Sequence, residues 1–262
     1  MTISIRTRAG LLVVACALVG GTGCITTALI DSARANDAAR RHEVLRQQRI
    51  REATPRAEAG DPAAMTALAD ALMDAFPAVP PDVPRARAWL ERAAEAGYAP
   101  AQVRLGEMLV MGRNDAGNYG AVDPVLRARG IVWLQKAASQ ACSVPGPHGR
   151  SMEAALYASR FLDIAGQAAD ARLWRARSVV HCGSPGADVL AARASSTGSS
   201  QQTRREALAM LMLTGDRARI EHARATLAPD DVAAAEREAA ALARRVADSE
   251  RDFPAPHRKD TP

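Results

Sequence analysis

Ala96-Gly97-Tyr98-Ala99-Pro100-Ala101-Gln102-Val103-Arg104-Leu105-Gly106-Glu107-Met108 is followed, after a break, by Val132-Trp133-Leu134-Gln135-Lys136-Ala137-Ala138. In the first stretch Val103, Leu105, Met108, Leu109 and Met111 recur at helical spacing and give a broad apolar face over 101–112. Gly106 lies on that helix without a side chain, which leaves room for a neighbouring helix to approach. The second stretch has the same periodicity. Between them, Arg113 to Pro124 carries Asn, Asp, Gly and Pro and reads as a loop of unusual length. The unit is a helical hairpin.

The second half of that hairpin recurs. Trp89, Trp133 and Trp174 sit in similar frames, Ala88-Trp89-Leu90 with Ala93-Ala94, Val132-Trp133-Leu134 with Ala137-Ala138, and Leu173-Trp174 with Ala176 and Val179. A helical segment precedes each, over 63–76, 101–112 and 152–166, and prolines at 77–84 and 145–147 break the helices between. One hairpin cannot bury both its faces, so successive hairpins must stack. The tryptophans are expected to fill the shared core with Leu90, Leu105 and Leu134, and Trp133→Ala is expected to cost about 3 to 5 kcal/mol.

With these residues in view, the chain resembles a Sel-one-like repeat, a relative of the tetratricopeptide repeat. In that family an Ala-Gly turn precedes Ala-Gln and Leu-Gly on the first helix, and the second carries Ala-x-x-Trp-Leu-x-x-Ala-Ala. Ala96-Gly97, Ala101-Gln102, Leu105-Gly106 and Trp133 to Ala138 match this pattern. Ala59-Gly60-Asp61 opens a degenerate earlier copy, and a third copy keeps its Trp and alanines. The resemblance covers 59–182 and implies an all-α superhelix of three to four stacked hairpins. It also implies a protein or peptide partner, since similar family members are adaptors in envelope assembly, secretion or polysaccharide export.

Composition agrees with an all-α globular body. Of 262 residues, 48% are hydrophobic and 24% charged, and alanine dominates an apolar share in which aromatics are only 3%. The net charge of +5 is spread over runs such as Arg40-Arg41, Arg204-Arg205 and Arg244-Arg245, each flanked by acidic residues. That is a solvated helix surface, not a nucleic-acid face with interleaved aromatics.

The N-terminus reads as an export signal. Arg6 and Arg8 precede the apolar run Ala9 to Gly20, too short to span a bilayer, and Gly21-Thr22-Gly23-Cys24 closes it. Residues 1–24 resemble a bacterial lipoprotein signal with Cys24 as the lipidated residue, although Gly21 stands where that family places Leu. Ile25 replaces the aspartate that retains lipoproteins at the inner membrane, so the resemblance implies the periplasmic side of the outer membrane.

Residues 25–54 are expected to form a helical spacer, 55–190 the repeats, 191–250 a helical cap ending in a helix from Pro229 to about Ser249 that is polar on most sides, and 251–262 a disordered tail. Ser195 to Thr203 reads as a flexible polar link. Cys142 and Cys182 end the second helices of adjacent repeats, one residue apart in the repeat frame. An oxidising compartment permits a bridge between them, with two unpaired thiols as the other possibility.

Catalytic chemistry is sparse. His42, His148, His181, His222 and His257 are isolated, Asp163, Asp170 and Asp188 read as solvated charges, and no phosphate loop or nucleophile motif is present. No metal, cofactor, small-molecule substrate or nucleic acid is expected. The reading is an exported interaction scaffold, not an enzyme, with Tyr98, Asn114 and Tyr119 as candidate partner contacts. The alternative is a periplasmic hydrolase or β-lactam-binding protein, as implied by cysteine-rich relatives of the repeat, whose regularly spaced cysteines this chain lacks.

Overall fold

The computed structural model describes residues 22–75, 80–115, 117–145, 151–183 and 185–256, with side chains from Asp31 onward. Residues 1–21 of the export signal expected over 1–24, the expected breaks at Pro77 and Pro147, His148, His257 and the last six residues lie outside them, while Thr22 to Cys24 open the first helix. The fold is an all-α helical-repeat superhelix: α1 Thr22–Glu58, α2 Pro62–Met73, α3 Val83–Glu95, α4 Ala99–Val110, α5 Pro124–Ala138, α6 Ala154–Ile164, α7 Ala168–Arg177, α8 Ala187–Ser195, α9 Gln201–Met212, α10 Arg217–Arg224 and α11 Pro229–Ser249. A small antiparallel hairpin, β1 Val144–Pro145 with β2 Ser151–Met152, joins α5 to α6.

Each helix from α1 to α6 packs on the next in the chain, α2 also touches α4, and β1 lies on α4. The starts are chemically marked. Asp61 Oδ1 accepts from Ala63 N and Ala64 N, Asp82 caps α3 through Arg85 N, and Asp123 caps α5 through Val125 N, with Pro62, Pro84 and Pro124 in the first turns. Where α3 ends, Gly97 takes φ +83° so that Tyr98 N reaches the Ala93 carbonyl and Gly97 N that of Ala94. Gly60 does the same after α1 at φ +96°. A side chain at either position would strain this left-handed turn.

Small residues set the closest crossing. A Cβ on Gly106 would lie 2.9 Å from the Gly130 carbonyl oxygen, and a Cβ on Gly130 would lie 2.8 Å from that of Gly106. So α4 and α5 touch backbone to backbone, and Leu105 and Leu134 close over the crossing with no exposure. Gln102, from the Ala-Gln motif, is buried at 2% exposure and donates to the Ala94 carbonyl at the end of α3. The motif thus adds a second donor, beside the Gly97 N–H, to a carbonyl in the last turn of the preceding helix.

Among the described residues three clusters form the core: one among α1 to α4, one among α4 to α7 with the β1–β2 hairpin, and one among α7 to α11. The C-terminal helices do not continue the stack in the same way. α8 pairs with α9, and α11 packs across both α9 and α7. Its buried Ala235, Ala239, Leu242 and Val246 form an apolar stripe, so α11 is amphipathic, not polar on most sides.

Several expected boundaries shift. Residues 25–54 are more than a spacer: α1 continues through Pro55 to Glu58, and Ile50, Ala53 and Ala57 pack on the first core cluster. Buried Arg46 donates to the Ala71 carbonyl, while His42 and Arg49 both reach Asp74 at the end of α2. The link over 195–203 is short, because Ser200 caps α9 by accepting from Thr203 N. Residues 251–256 are not a frayed tail: Phe253 stands edge-on to Trp174 with ring centroids 5.1 Å apart, and Arg177 donates to the Phe253 and Pro254 carbonyls.

Candidate functional site

The three tryptophans do not share one environment. Trp89 and Trp133 are half-buried at the margin of the first core cluster, whereas Trp174 is 1% exposed inside the second. The difference is one of register. Placing Trp174 on Leu134, not on Trp133, sets Ala171 on Ile131 and Cys182 on Cys142, and these pairs share the same burial. Trp89 and Trp133 therefore lie one residue outside the core position, which Leu90 and Leu134 fill at 2% and 0% exposure. In the third copy the indole itself takes the core place. A cation still covers each ring from one turn on, Arg92 over Trp89 at 4.4 Å, Lys136 over Trp133 at 4.5 Å and Arg177 over Trp174 at 4.9 Å.

In this corrected frame the two cysteines occupy equivalent places, and the structure joins Cys142 to Cys182 by a disulfide with Cα atoms 5.4 Å apart. Cys182 ends a single π-helical turn, Ser178–Cys182, that continues α7. Around it Arg177, 2% exposed, also donates to Ser249 Oγ at 2.6 Å. Burial pushes the Arg177 guanidinium below its usual range. Burial, then the Arg177 charge, holds His181 below the ordinary imidazole value, although Glu250 lies 3.4 Å from its Nε2. This cluster fastens α11 to α7. It is structural, and sequence spacing alone pointed to none of it except the cysteines.

Of the expected partner contacts, Asn114 and Tyr119 belong together and Tyr98 stands apart. Tyr98 starts α4, half-buried against the first core cluster, while the loop follows the other end of a 12-residue helix, about 18 Å along its axis. The loop is ordered. Arg113 bridges to Tyr119, Asn118 N donates to Asn114 Oδ1 at 2.9 Å, Arg113 Nε donates to the Gly117 carbonyl, and Arg87 reaches Asp115 at 3.6 Å. Tyr119, 65% exposed, projects from it. Beneath lies a hollow of about 200 Å³, floored by Met108, Leu109 and Leu126 and edged by Arg87, Arg113 and Asp123.

The three aspartates are dispersed. Asp163 pairs with Arg175, Asp170 with Arg245 and Asp188 with Arg219, on different elements and not as a dyad. Among the described residues no group of three or more histidine, cysteine or acidic side chains is placed to hold a metal ion. α4 is also closed as a binding face, since all but one of its residues are buried. The exposed apolar side chains lie elsewhere, notably Val125 and Val132 on α5 and Val44 and Leu45 on α1.

Comparison with known families gives a match to the Sel1 repeat over residues 62–98 and again over 99–142. No curated protein and no solved structure matches the chain. The matched units coincide with α2–α3 and with α4–α5 through Cys142, whose Ala-Gly turns, buried Leu105 and Gly106 crossing are described above. Residues 62–142 therefore form two Sel1 repeats, a helical-repeat scaffold of the kind that mediates protein–protein interaction.

Proposed function

We propose that this scaffold is exported, tethered at Cys24 by a lipid to the periplasmic side of the outer membrane, and holds its repeats clear of the bilayer to receive a protein or peptide partner. The observation that carries the reading is the shape of α1. Its second half docks on α2, but residues 31–37 are exposed on every side, so the helix leaves the body as an arm. From Cys24 to Asp37 that arm reaches about 20 Å. Among the described residues no helix is long and apolar enough to cross a membrane. The Cys142–Cys182 bridge suits an oxidising compartment. A partner has Tyr119 and its loop within reach, on the side of α4 away from Tyr98.

The test is detergent phase partition and N-terminal mass analysis of protein from cells expressing the chain and its Cys24→Ala variant. The expected result is a diacylglycerol-modified Cys24 at the mature N-terminus, detergent-phase recovery of the wild type, and loss of both in the variant. An unmodified Cys24 in a chain that stays in the aqueous phase would overturn the anchor.

A further inference from the structure

One helix face combines exposed apolar and unpaired basic side chains at a single spacing. On α5, Val125, Arg129, Val132 and Lys136 follow one another by four, three and four residues. At about 100° per residue they fall within an arc of roughly 60°. Val125 is 68% and Val132 48% exposed, and both Arg129 and Lys136 are exposed. The opposite face, through Ile131, Leu134 and Ala138, is the one buried on α4 and α6. Half-buried Trp133 borders the exposed face beneath Lys136.

The charge on this face has no counterpart. From Pro124 to Ala138 the helix carries Arg127, Arg129 and Lys136 and no acidic residue, and none of the three forms an ion pair among the described residues. Asp123, the nearest carboxylate in sequence, is occupied as the N-cap. Several exposed arginines elsewhere are answered on the surface itself, Arg219 by Asp216 and Asp188, Arg224 by Glu221 and Glu236, and Arg40 and Arg41 by Asp37, whereas others such as Arg85, Arg160 and Arg237 are not. What sets α5 apart is that its exposed cations alternate with exposed valines.

We propose that the outer face of α5 is a docking seam for an acidic amphipathic helix of a partner protein. This rests on the scaffold reading above and names the partner's chemistry. The spacing of four and three is that of a helix–helix seam, in which aliphatic knobs from the partner sit beside Val125 and Val132. Carboxylates flanking those knobs meet Arg129 and Lys136, and their attraction is screened by salt.

The test titrates the full chain with a labelled short synthetic helix that has a leucine seam flanked by glutamates, and with its counterpart in which lysines replace the glutamates. The glutamate helix is expected to bind about tenfold or more tightly than the lysine helix, and more weakly as salt rises. Arg129→Glu with Lys136→Glu should reverse that preference with the helical content retained, and Val132→Asp should remove binding of both helices. Equal binding of the two helices, no binding of the glutamate helix, or no effect of the double reversal would overturn the proposal. So would a dimer in sedimentation that Val132→Asp dissolves, which assigns the face to a second copy. A photo-crosslinker at Tyr119 and at Val132 in cells separates the two readings: partner adducts at Tyr119 alone sink the seam and leave the scaffold standing, whereas adducts at neither sink both.

Discussion

The two halves of the repeat stack solve the same packing problem with opposite materials. In the matched repeats, α2 to α5, the closest crossing runs through Gly106 and Gly130, and the tryptophans stay at the margin, although buried alanines line both regions. In the region from α6 to α11 the core takes Trp174, Phe161 and Phe253, and Arg177 and a disulfide lock its edges. Close backbone contact needs many small residues at fixed spacing, so it leaves a sequence pattern. One large residue with a covalent tie does the same work and leaves almost none.

That contrast can be broken most directly at its largest residue. Trp174→Ala should cost about 3 to 5 kcal/mol in urea unfolding, because a fully buried indole leaves a cavity. Removing the bridge with Cys142→Ser and Cys182→Ser should cost about 4 kcal/mol, on the entropy of a loop closed across 40 residues. A double variant as stable as the wild type would mean that the region does not need its tie. Gly106→Ala should cost about 1 to 3 kcal/mol by overpacking against the Gly130 carbonyl, despite alanine's better helix propensity. If it stabilises, α4 and α5 are free to move apart. Trp133→Ala, half-exposed, should cost only about 1 to 2 kcal/mol, well short of a core tryptophan. Equal losses for Trp133 and Trp174 would erase the distinction.

The smallest effect separates the halves by acid. His181 titrates below its ordinary 6.5 because burial and Arg177 disfavour its charged form, so the unfolded chain binds the proton first. Stability is complete above about pH 6.5 and falls as pH drops below it. In the matched repeats Asp61 is held below its ordinary 3.8 by the Ala64 N–H and by Arg56, and that contribution is lost only as pH falls beneath the unfolded value. Melting temperature followed from pH 7.5 to 5 should therefore decline in the wild type and stay flatter in His181→Gln. Equal slopes would remove His181 as the source.

How much was legible follows the same line. Gly97, Gln102, Leu105, Gly106 and Leu134 announced a hairpin, because each performs one local task that few residue types can do. Gly130, the partner of Gly106, was equally visible but has no motif of its own. The frame of Trp174 was misread by one position, since an indole is common both at the margin and in the core, and only burial distinguishes them. The docking of Phe253 depends on Arg177, 76 residues away, and no local pattern reports a contact of that range. The loop with Asn114 and Tyr119 stands out in the sequence by its length. The α5 face has no such mark, because which side of that helix is exposed follows only from the burial of Ile131, Leu134 and Ala138.

The Cys142–Cys182 tie also sets how the molecule yields under load. A force applied between the two ends of the chain cannot extend the segment between the two sulfurs, which conceals about 140 Å of contour length. Pulling would peel helices on either side of the tie and stop there. A stretched molecule would keep α6 and α7 folded as a ratchet stop from which the rest can rewind.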